Sequence, residues 1–565
     1  MGRVADVADP VLLTPPASSE DLPAVCGLSR VPSKDGEATY FERKMGDTEL
    51  SYYLPSRQSG VNDMYLHLGL NAPEHLMSWA RVRTVWAILR LRHPLLSAAA
   101  QMHDYDDVRF VYRVPDASDD VLRDAEANLE YRAQGKDELI DSYLNGPRTL
   151  SNSRLSYLVV SHTEEDPAEA ILTPPRTPSP SAETFEPSSS PSEDDARAPT
   201  QYDLLICAMH FIGDGMALHT FANDFLGLLG SEQSASDLEA MLRAEWAERW
   251  QDKDNDASIL PTALEDNMPI TWNKLRGAAA SVDFEISQQK LVGGQAFPKR
   301  KHPERHTIVP TISFPEDRTK VMLKKCKAKG VSISAALFAI CNVAWARTSD
   351  SSKELPALMY SALNLRPYFT VKRPSPWDSY WFISIGYFNV ILPSFVPSDR
   401  TRAETTFWHR ARSAKEQSAR AAKHPLLVSR TQEMAKVRGA RARAWGREDD
   451  EKENGTWTPP TPSANAVPHR EPVLPARAKV PSTALIGLSL LGNLDGMYKH
   501  ATFPNIKLHT LTTGSRQRHG AMLLFGYTFV GKLWVSLGYD ENGFAEGVVD
   551  KFWTECLQAI DEYLV

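Results

Sequence analysis

Cysteine is scarce in this chain of 565 residues: Cys26, Cys207, Cys326, Cys341 and Cys556 are an odd number with no close metal-type spacing, and several sit inside apolar runs. That pattern argues against a disulfide scaffold or a zinc module and predicts buried thiols in a reducing compartment. Basic charge is not in excess either. Lys and Arg number 63 against 71 Asp and Glu, a net charge of −8 that leaves no footprint for nucleic acid. No apolar run reaches membrane-spanning length, so no membrane span is predicted. The first residues, Met1-Gly2-Arg3-Val4-Ala5-Asp6, lack a hydrophobic signal core, and Asp6 stands where N-myristoylation requires Ser or Thr. Glu562-Tyr563-Leu564-Val565 matches no standard retention or peroxisomal address. The expectation is a cytoplasmic protein, with a monomer as the default.

What is present is enough apolar residue, 42%, for a globular fold, on a chain too long for one ordinary core. Two lobes are predicted: residues 1–38 as a mobile arm, 39–285 as a first lobe, 286–310 as a crossover and 311–565 as a second lobe. Two stretches rich in Pro and charge, 164–200 and 439–479, bury too little apolar surface to offset their ordering entropy and are expected to be disordered inserts. Periodic Leu76, Trp79, Val82, Val85, Trp86 and Leu89 predict a helix over Ala72 to Arg92, ended by Pro94. Strands are predicted over Leu155 to Ser161, Tyr202 to Met209, Thr311 to Phe314, Ala484 to Leu491, Ala521 to Phe529 and Leu533 to Tyr539. Further helices are expected after Pro315, after the Ser332 cap, and from Ala545 to Tyr563.

One motif carries chemistry. The apolar run Tyr202 to Ala208 leads into Met209-His210-Phe211-Ile212-Gly213-Asp214-Gly215 and then into a helix-like pattern of Met216, Leu218, Phe221, Phe225 and Leu228. An H-x-x-x-D-G hexad on a strand-to-helix turn presents an imidazole at the mouth of a cleft, where His210 can take a proton from a bound hydroxyl or amine. Asp214 sits where a helix N-cap belongs. A metal set of His210, Asp214 and His219 fits no common zinc spacing, so no metal is expected.

The hexad and the stretches that follow it in order resemble the coenzyme-A-dependent acyltransferase superfamily, which includes chloramphenicol acetyltransferase, condensation domains and fungal trichothecene O-acetyltransferases. The resemblance implies a two-lobed α/β fold, each lobe a mostly antiparallel sheet with flanking helices and the active-site tunnel between them. It implies that His210 acts as general base, without an acyl-enzyme, in moving an acetyl or short acyl group from acetyl-CoA or another acyl-CoA to a hydroxyl of a small molecule. A terpenoid-like alcohol of fungal secondary metabolism is the favoured acceptor, and no tightly bound cofactor is expected. Met209 stands where many relatives have a first histidine, which argues against peptide-bond formation. In the superfamily the aspartate pairs with an arginine. Tyr360-Ser361-Ala362-Leu363-Asn364-Leu365-Arg366-Pro367 resembles the strand that delivers it, so Arg366 is the expected partner of Asp214 and Arg92 the alternative. Asn389, in Ile385 to Pro393, resembles an asparagine near the active site of condensation domains. Ser489, in Ile486 to Asn493, is a candidate oxyanion donor, and Gly215 completes the motif. Arg516 and Arg518, in Gly514 to Gly520, are candidates for the coenzyme phosphates, with a solvated turn as the alternative. Two rival readings remain: a condensation-type domain fed by a carrier protein, and a non-catalytic member that binds small molecules in the old cleft.

Overall fold

The computed structural model describes residues 29–32, 39–162, 199–250, 259–268, 273–369, 377–459 and 480–565. The chain begins with β1 (Ser29–Pro32), β2 (Thr39–Lys44), α1 (Asp47–Ser56), β3 (Met64–Ala72), α2 (Trp79–Arg92), β4 (Ala99–Met102) and β5 (Val108–Arg113). It continues through α3 (Ser118–Ala127), β6 (Leu129–Arg132), α4 (Lys136–Asn145), β7 (Ser156–Ser161), β8 (Thr200–Ala208), α5 (Gly215–Leu229), α6 (Ala235–Trp250), α7 (Leu264–Asn267) and α8 (Lys274–Gln289). Next come β9 (Thr307–Ile308), β10 (Thr311–Phe314), α9 (Glu316–Ala328), α10 (Ile333–Thr348), β11 (Ala357–Asn364) and β12 (Ile385–Leu392). The last part holds α11 (Arg400–Ala422), α12 (Leu427–Glu453), β13 (Ala484–Asn493), β14 (Lys507–Ser515), β15 (Met522–Phe529), β16 (Lys532–Asp540) and α13 (Val548–Leu564).

The first lobe is built on a five-stranded sheet in the order β14-β3-β8-β7-β6, beside a four-stranded antiparallel sheet β1-β2-β5-β4. In the larger sheet only β6 and β7 run parallel. Helices α2 and α5 pack against each other beside it, with Trp86, Phe221 and Phe225 fully buried. The second lobe carries the sheet β10-β16-β15-β13-β11-β12, with β9 also paired to β16; β13 runs parallel to both neighbours and the remaining pairs are antiparallel. Its apolar face packs on α10, whose start is fixed by the Ser332 hydroxyl accepting the Ala335 N–H at 3.2 Å. This is a mixed α/β fold of two lobes, each with its own core.

Several sequence expectations need correction. The helix expected from Ala72 starts at Trp79, because β3 runs through Ala72 in register with β8 and Pro73 then ends the strand. The lobe boundary at 311 is not clean. Strand β14 returns to the first lobe and pairs with β3 from Lys507↔Asn71 to Ser515↔Met64. Within the expected arm, Ser29–Pro32 pairs with β2, while 1–28 and 33–38 lie outside the described residues.

The insert placed at 164–200 falls outside the described residues over 164–198, and Thr200 belongs to β8. The insert placed at 439–479 is wrong for its first part, since 439–453 complete α12; 460–479 lie outside the described residues. Charge misled the reading there, because these side chains form an interface rather than a solvated tract. Arg57 forks onto Asp450 at 2.9 and 3.0 Å, Tyr105 donates to Asp450 at 2.7 Å, and Arg443 donates to Asp47 at 2.8 Å. The buried stripe of α12 is Ala435, Gly439, Ala442 and Gly446, which lets its backbone approach α1 closely. A Cβ on Gly439 would sit 2.4 Å from the Asp47 carboxylate.

Candidate active site

His210 opens a short 3-10 turn between β8 and α5. Its Nδ1–H donates to the Gly213 carbonyl at 3.0 Å, a bond that fixes the tautomer and leaves a lone pair on Nε2. The Tyr52 ring of α1 stacks on the imidazole, centroids 4.4 Å apart at 29°. Burial pushes the imidazole pKa below its ordinary value; Asp214 opposes that shift and the positive charge of Arg438 adds to it. The shift favours the neutral form of the ring. Gly213 is required by close approach, since a Cβ there would meet the Trp381 ring at 2.6 Å.

Asp214 is buried, and its carboxylate faces the scaffold. It accepts from the Ala217 N–H at 3.1 Å as the N-cap of α5, from Arg366 Nη1 at 2.9 Å on both oxygens, and from the Ser384 N–H at 2.8 Å. The cap and the ion pair, alternatives in the sequence, are present together. Arg366 spends its other nitrogen on the Tyr380 and Phe382 carbonyls at 3.1 and 3.0 Å. Arg92 instead pairs with Glu245 at 2.5 Å. The Asp214–Arg366 pair thus staples the histidine turn of one lobe to the end of β11 in the other.

The remaining candidates divide. Gly215 begins α5, and a Cβ there would come within 3.4 Å of Leu491 on β13. Ser489 is half-buried and shares by the two-residue period the strand face of Gly487, where a Cβ would meet the Tyr360 ring. Asn389 is opposite Tyr360 across β12 and β11 and lines a cleft of about 300 Å³ bounded by α8, β12, α11 and α12. Arg516 is not available to a cofactor. It is buried and donates to the carbonyls of Tyr143 at 3.0 and 2.6 Å, Gly146 at 3.1 Å and Pro147 at 3.3 Å, an internal clasp at the end of β14. Arg518, two residues on, turns the other way and lies 5.9 Å from the Trp445 ring of α12. His219 is a core residue bound to the Tyr498 hydroxyl at 2.9 Å, and burial lowers its pKa to about 3.

Sequence reasoning missed three groups at this site. Tyr52 comes from α1, the Tyr387 hydroxyl of β12 shares a hydrogen bond with that of Tyr52 across the seam, and the Arg438 guanidinium of α12 lies 5.2 Å from the Tyr52 ring and 4.5 Å from that of Tyr387. Tyr387 lies inside the Ile385 to Pro393 stretch, two residues before Asn389, where only the asparagine was singled out; nothing in the pattern around Tyr52 or Arg438 marked either.

No family model matches the chain, and no curated protein matches it by sequence. Solved structures do. The chain is similar to the trichothecene 15-O-acetyltransferase of Fusarium sporotrichioides, with a TM-score of 0.68 at 12% identity over 97% of this chain and 100% of that one. It is also similar to the cyclization-docking bidomain of EpoB from Sorangium cellulosum, with a TM-score of 0.51 at 11% identity over 94% and 86%. The first condensation domain of the CDA synthetase gives a TM-score of 0.50 at 10% identity over 92% and 96%. The chain has the fold of the coenzyme-A-dependent acyltransferases and condensation domains.

Proposed function

We propose that the protein is an O-acyltransferase that moves an acetyl or short acyl group from a coenzyme A thioester to a hydroxyl of a small molecule. The observation that carries this reading is His210: an imidazole in the interlobe seam whose burial favours the neutral form, its Nδ1 held by Gly213 and its Nε2 left to act as the base. In this reading Nε2 takes the proton of the acceptor hydroxyl as its oxygen attacks the thioester carbonyl. The tetrahedral intermediate collapses, the carbon–sulfur bond breaks, and the imidazolium returns the proton to the departing thiolate. Negative charge on the former carbonyl oxygen calls for a donor. Ser489, half-buried on β13, is our candidate for that role. Asp214 and Arg366 hold the turn and do not relay protons.

Coenzyme phosphates need cations at a distance from His210, and Lys290 and Arg420, both exposed on the rim of the cleft, fit that requirement. Arg516 does not. The condensation-type reading, with the acyl group on a carrier protein, is favoured by the likeness to condensation domains. The test is thiol release from free acetyl-CoA with a panel of sesquiterpene, sugar and fatty alcohols. Release with formation of an ester product supports the proposal; hydrolysis alone, or no release with any acceptor, counts against it.

A further inference from the structure

Arg438 lies over the rings of Tyr52 and Tyr387 in the seam, and Arg518 is near enough for the charge of Arg438 to act against its own. Among the described residues neither guanidinium has a carboxylate within ion-pair distance. Arg438 faces two phenol rings, and Arg518 faces Trp445. Four other half-buried arginines are paired, Arg57 with Asp450, Arg148 with Asp63, Arg366 with Asp214 and Arg430 with Asp283, whereas Arg154 and Arg305 donate to backbone carbonyls. The Tyr52 phenol is not a counterion, because burial holds its pKa well above its ordinary value. Two like charges held together without an anion are unfavourable, and burial and the charge of Arg438 both work against the charge on Arg518. The cleft that Arg438 closes repeats the asymmetry. Its lining includes Lys290, Arg420, Arg430 and Arg438, with Phe284, Leu291 and Met434 among the apolar walls, and no Asp or Glu.

We propose that Arg438 and Arg518 form a binding site for a carboxylate carried by the reacting substrate close to its reacting atom, either on the acceptor alcohol or on the acyl group. The proposal rests on the acyl-transfer reading and narrows it from a neutral terpenoid-like alcohol to an acidic substrate. Geometry sets the spacing. Arg438 is 5.2 Å from the Tyr52 centroid, and that ring is 4.4 Å from His210, so the guanidinium lies no farther from the imidazole than these two steps laid end to end. The diphosphate of a coenzyme whose thioester is at His210 is too remote. The extended pantetheine arm is about as long as four residues of chain, roughly 13 Å. A carboxylate separated from the reacting atom by one ring or a short chain fits instead. The bonds made and broken remain those of the transfer itself, since the carboxylate only binds.

Calorimetric titration of the full chain reads binding without turnover, and each acid is paired with a neutral twin. Malonyl-CoA and succinyl-CoA against acetyl-CoA and butyryl-CoA test a carboxylate on the acyl group. The compounds 4-hydroxyphenylacetate and 6-hydroxyhexanoate, against their methyl esters, test one on the acceptor. In one of these arms the acid is expected to bind about ten- to a hundredfold more tightly than its twin, the range of a charge-assisted hydrogen bond. Arg438→Met should abolish that preference, Arg518→Gln should weaken it, and Arg438→Lys should keep most of it. The proposal is overturned if no acid outbinds its twin, or if Arg438→Met, folded by its melting curve, retains the preference. Should Arg438→Met fail to fold, Arg518→Gln decides alone: an unchanged preference overturns the site and a weakened one supports it. An Arg438-dependent acid preference without thiol release in any assay rejects acyl transfer and leaves the site standing. Transfer to neutral alcohols that Arg438→Met does not affect rejects the site and leaves acyl transfer standing.

Discussion

Replacing Asp214 by Asn separates the two duties of that carboxylate. Asparagine keeps an oxygen for the Ala217 N–H and so keeps the cap of α5, but its amide NH2 replaces an oxygen that now receives the Ser384 N–H and Arg366. Donor then faces donor, and the guanidinium loses its anion. The side chain of Asp214 is 2% exposed and that of Arg366 is 21% exposed, so the pair is buried on one side and reached by water on the other. Breaking a fully buried pair costs about 3 to 5 kcal/mol. With solvent reaching the arginine, roughly half of that is expected here. Arg366→Met removes the partner and leaves the carboxylate with two N–H donors, while the Tyr380 and Phe382 carbonyls lose theirs. The assay is urea denaturation of the parent, the two single variants and the double variant. The double variant should lose about 1 to 3 kcal/mol less than the two single losses summed, because neither charge is then stranded. Activity should fall in both single variants through displacement of the histidine turn. Additivity within about 0.5 kcal/mol would refute the coupling and leave the cap as the only role of Asp214.

Further expectations follow from other parts of the structure. Replacing 163–198 by a short Gly-containing turn should shift the melting temperature little, because β7 and β8 are antiparallel neighbours paired as far as Ser161↔Asp203 and loop-closure entropy changes slowly with length; a large loss would show that the segment docks on the body. Gly213→Ala should lower both stability and activity, by about 1 to 3 kcal/mol in stability, since the added methyl meets Trp381 at 2.6 Å, and a stable, active variant would show that the indole has room to move. Burial lowers the pKa of His93 and of His219 to about 3 each, so the unfolded chain binds protons that the folded one refuses, and stability falls as pH drops from about 6.5 toward 3. The loss should approach about 1.4 kcal/mol per pH unit for each histidine in that window, checked by denaturation at stepped pH, and a flat profile would count against neutral burial of both.

The sequence was most legible where one residue type is forced by local geometry. The strand ending at Ala208, the turn of His210 and the cap at Asp214 follow from an apolar run, a hexad and a helical period that agree with one another. Strand β3 does carry the two-residue period, Met64, Leu66, Leu68 and Leu70 alternating with Tyr65, His67 and Gly69, although both faces are buried, and it went unread. Helix α12 was hidden because its buried stripe is alanine and glycine, and its charges pair with α1 and the β4–β5 turn instead of solvating a loop. The roles of Arg516 and Arg518 were not separable in sequence, since two residues decide which one turns inward to the Tyr143 carbonyl and which one meets Trp445. Tyr52 and Arg438 reach His210 from elements almost 400 residues apart in the chain, through tertiary contacts that local spacing does not encode.

The most direct test of the account is the pH dependence of thiol release by the parent protein and by His210→Ala, with acetyl-CoA and an accepted alcohol. A base that works only when neutral predicts that the parent rate falls as pH drops through an apparent pKa below the ordinary histidine value, because burial depresses the His210 imidazole. The variant should fold normally, lose about a hundred- to ten-thousand-fold in rate and lose that acid limb. Near-parental turnover in His210→Ala, or an unchanged acid limb in it, would contradict the assignment of His210 as the general base.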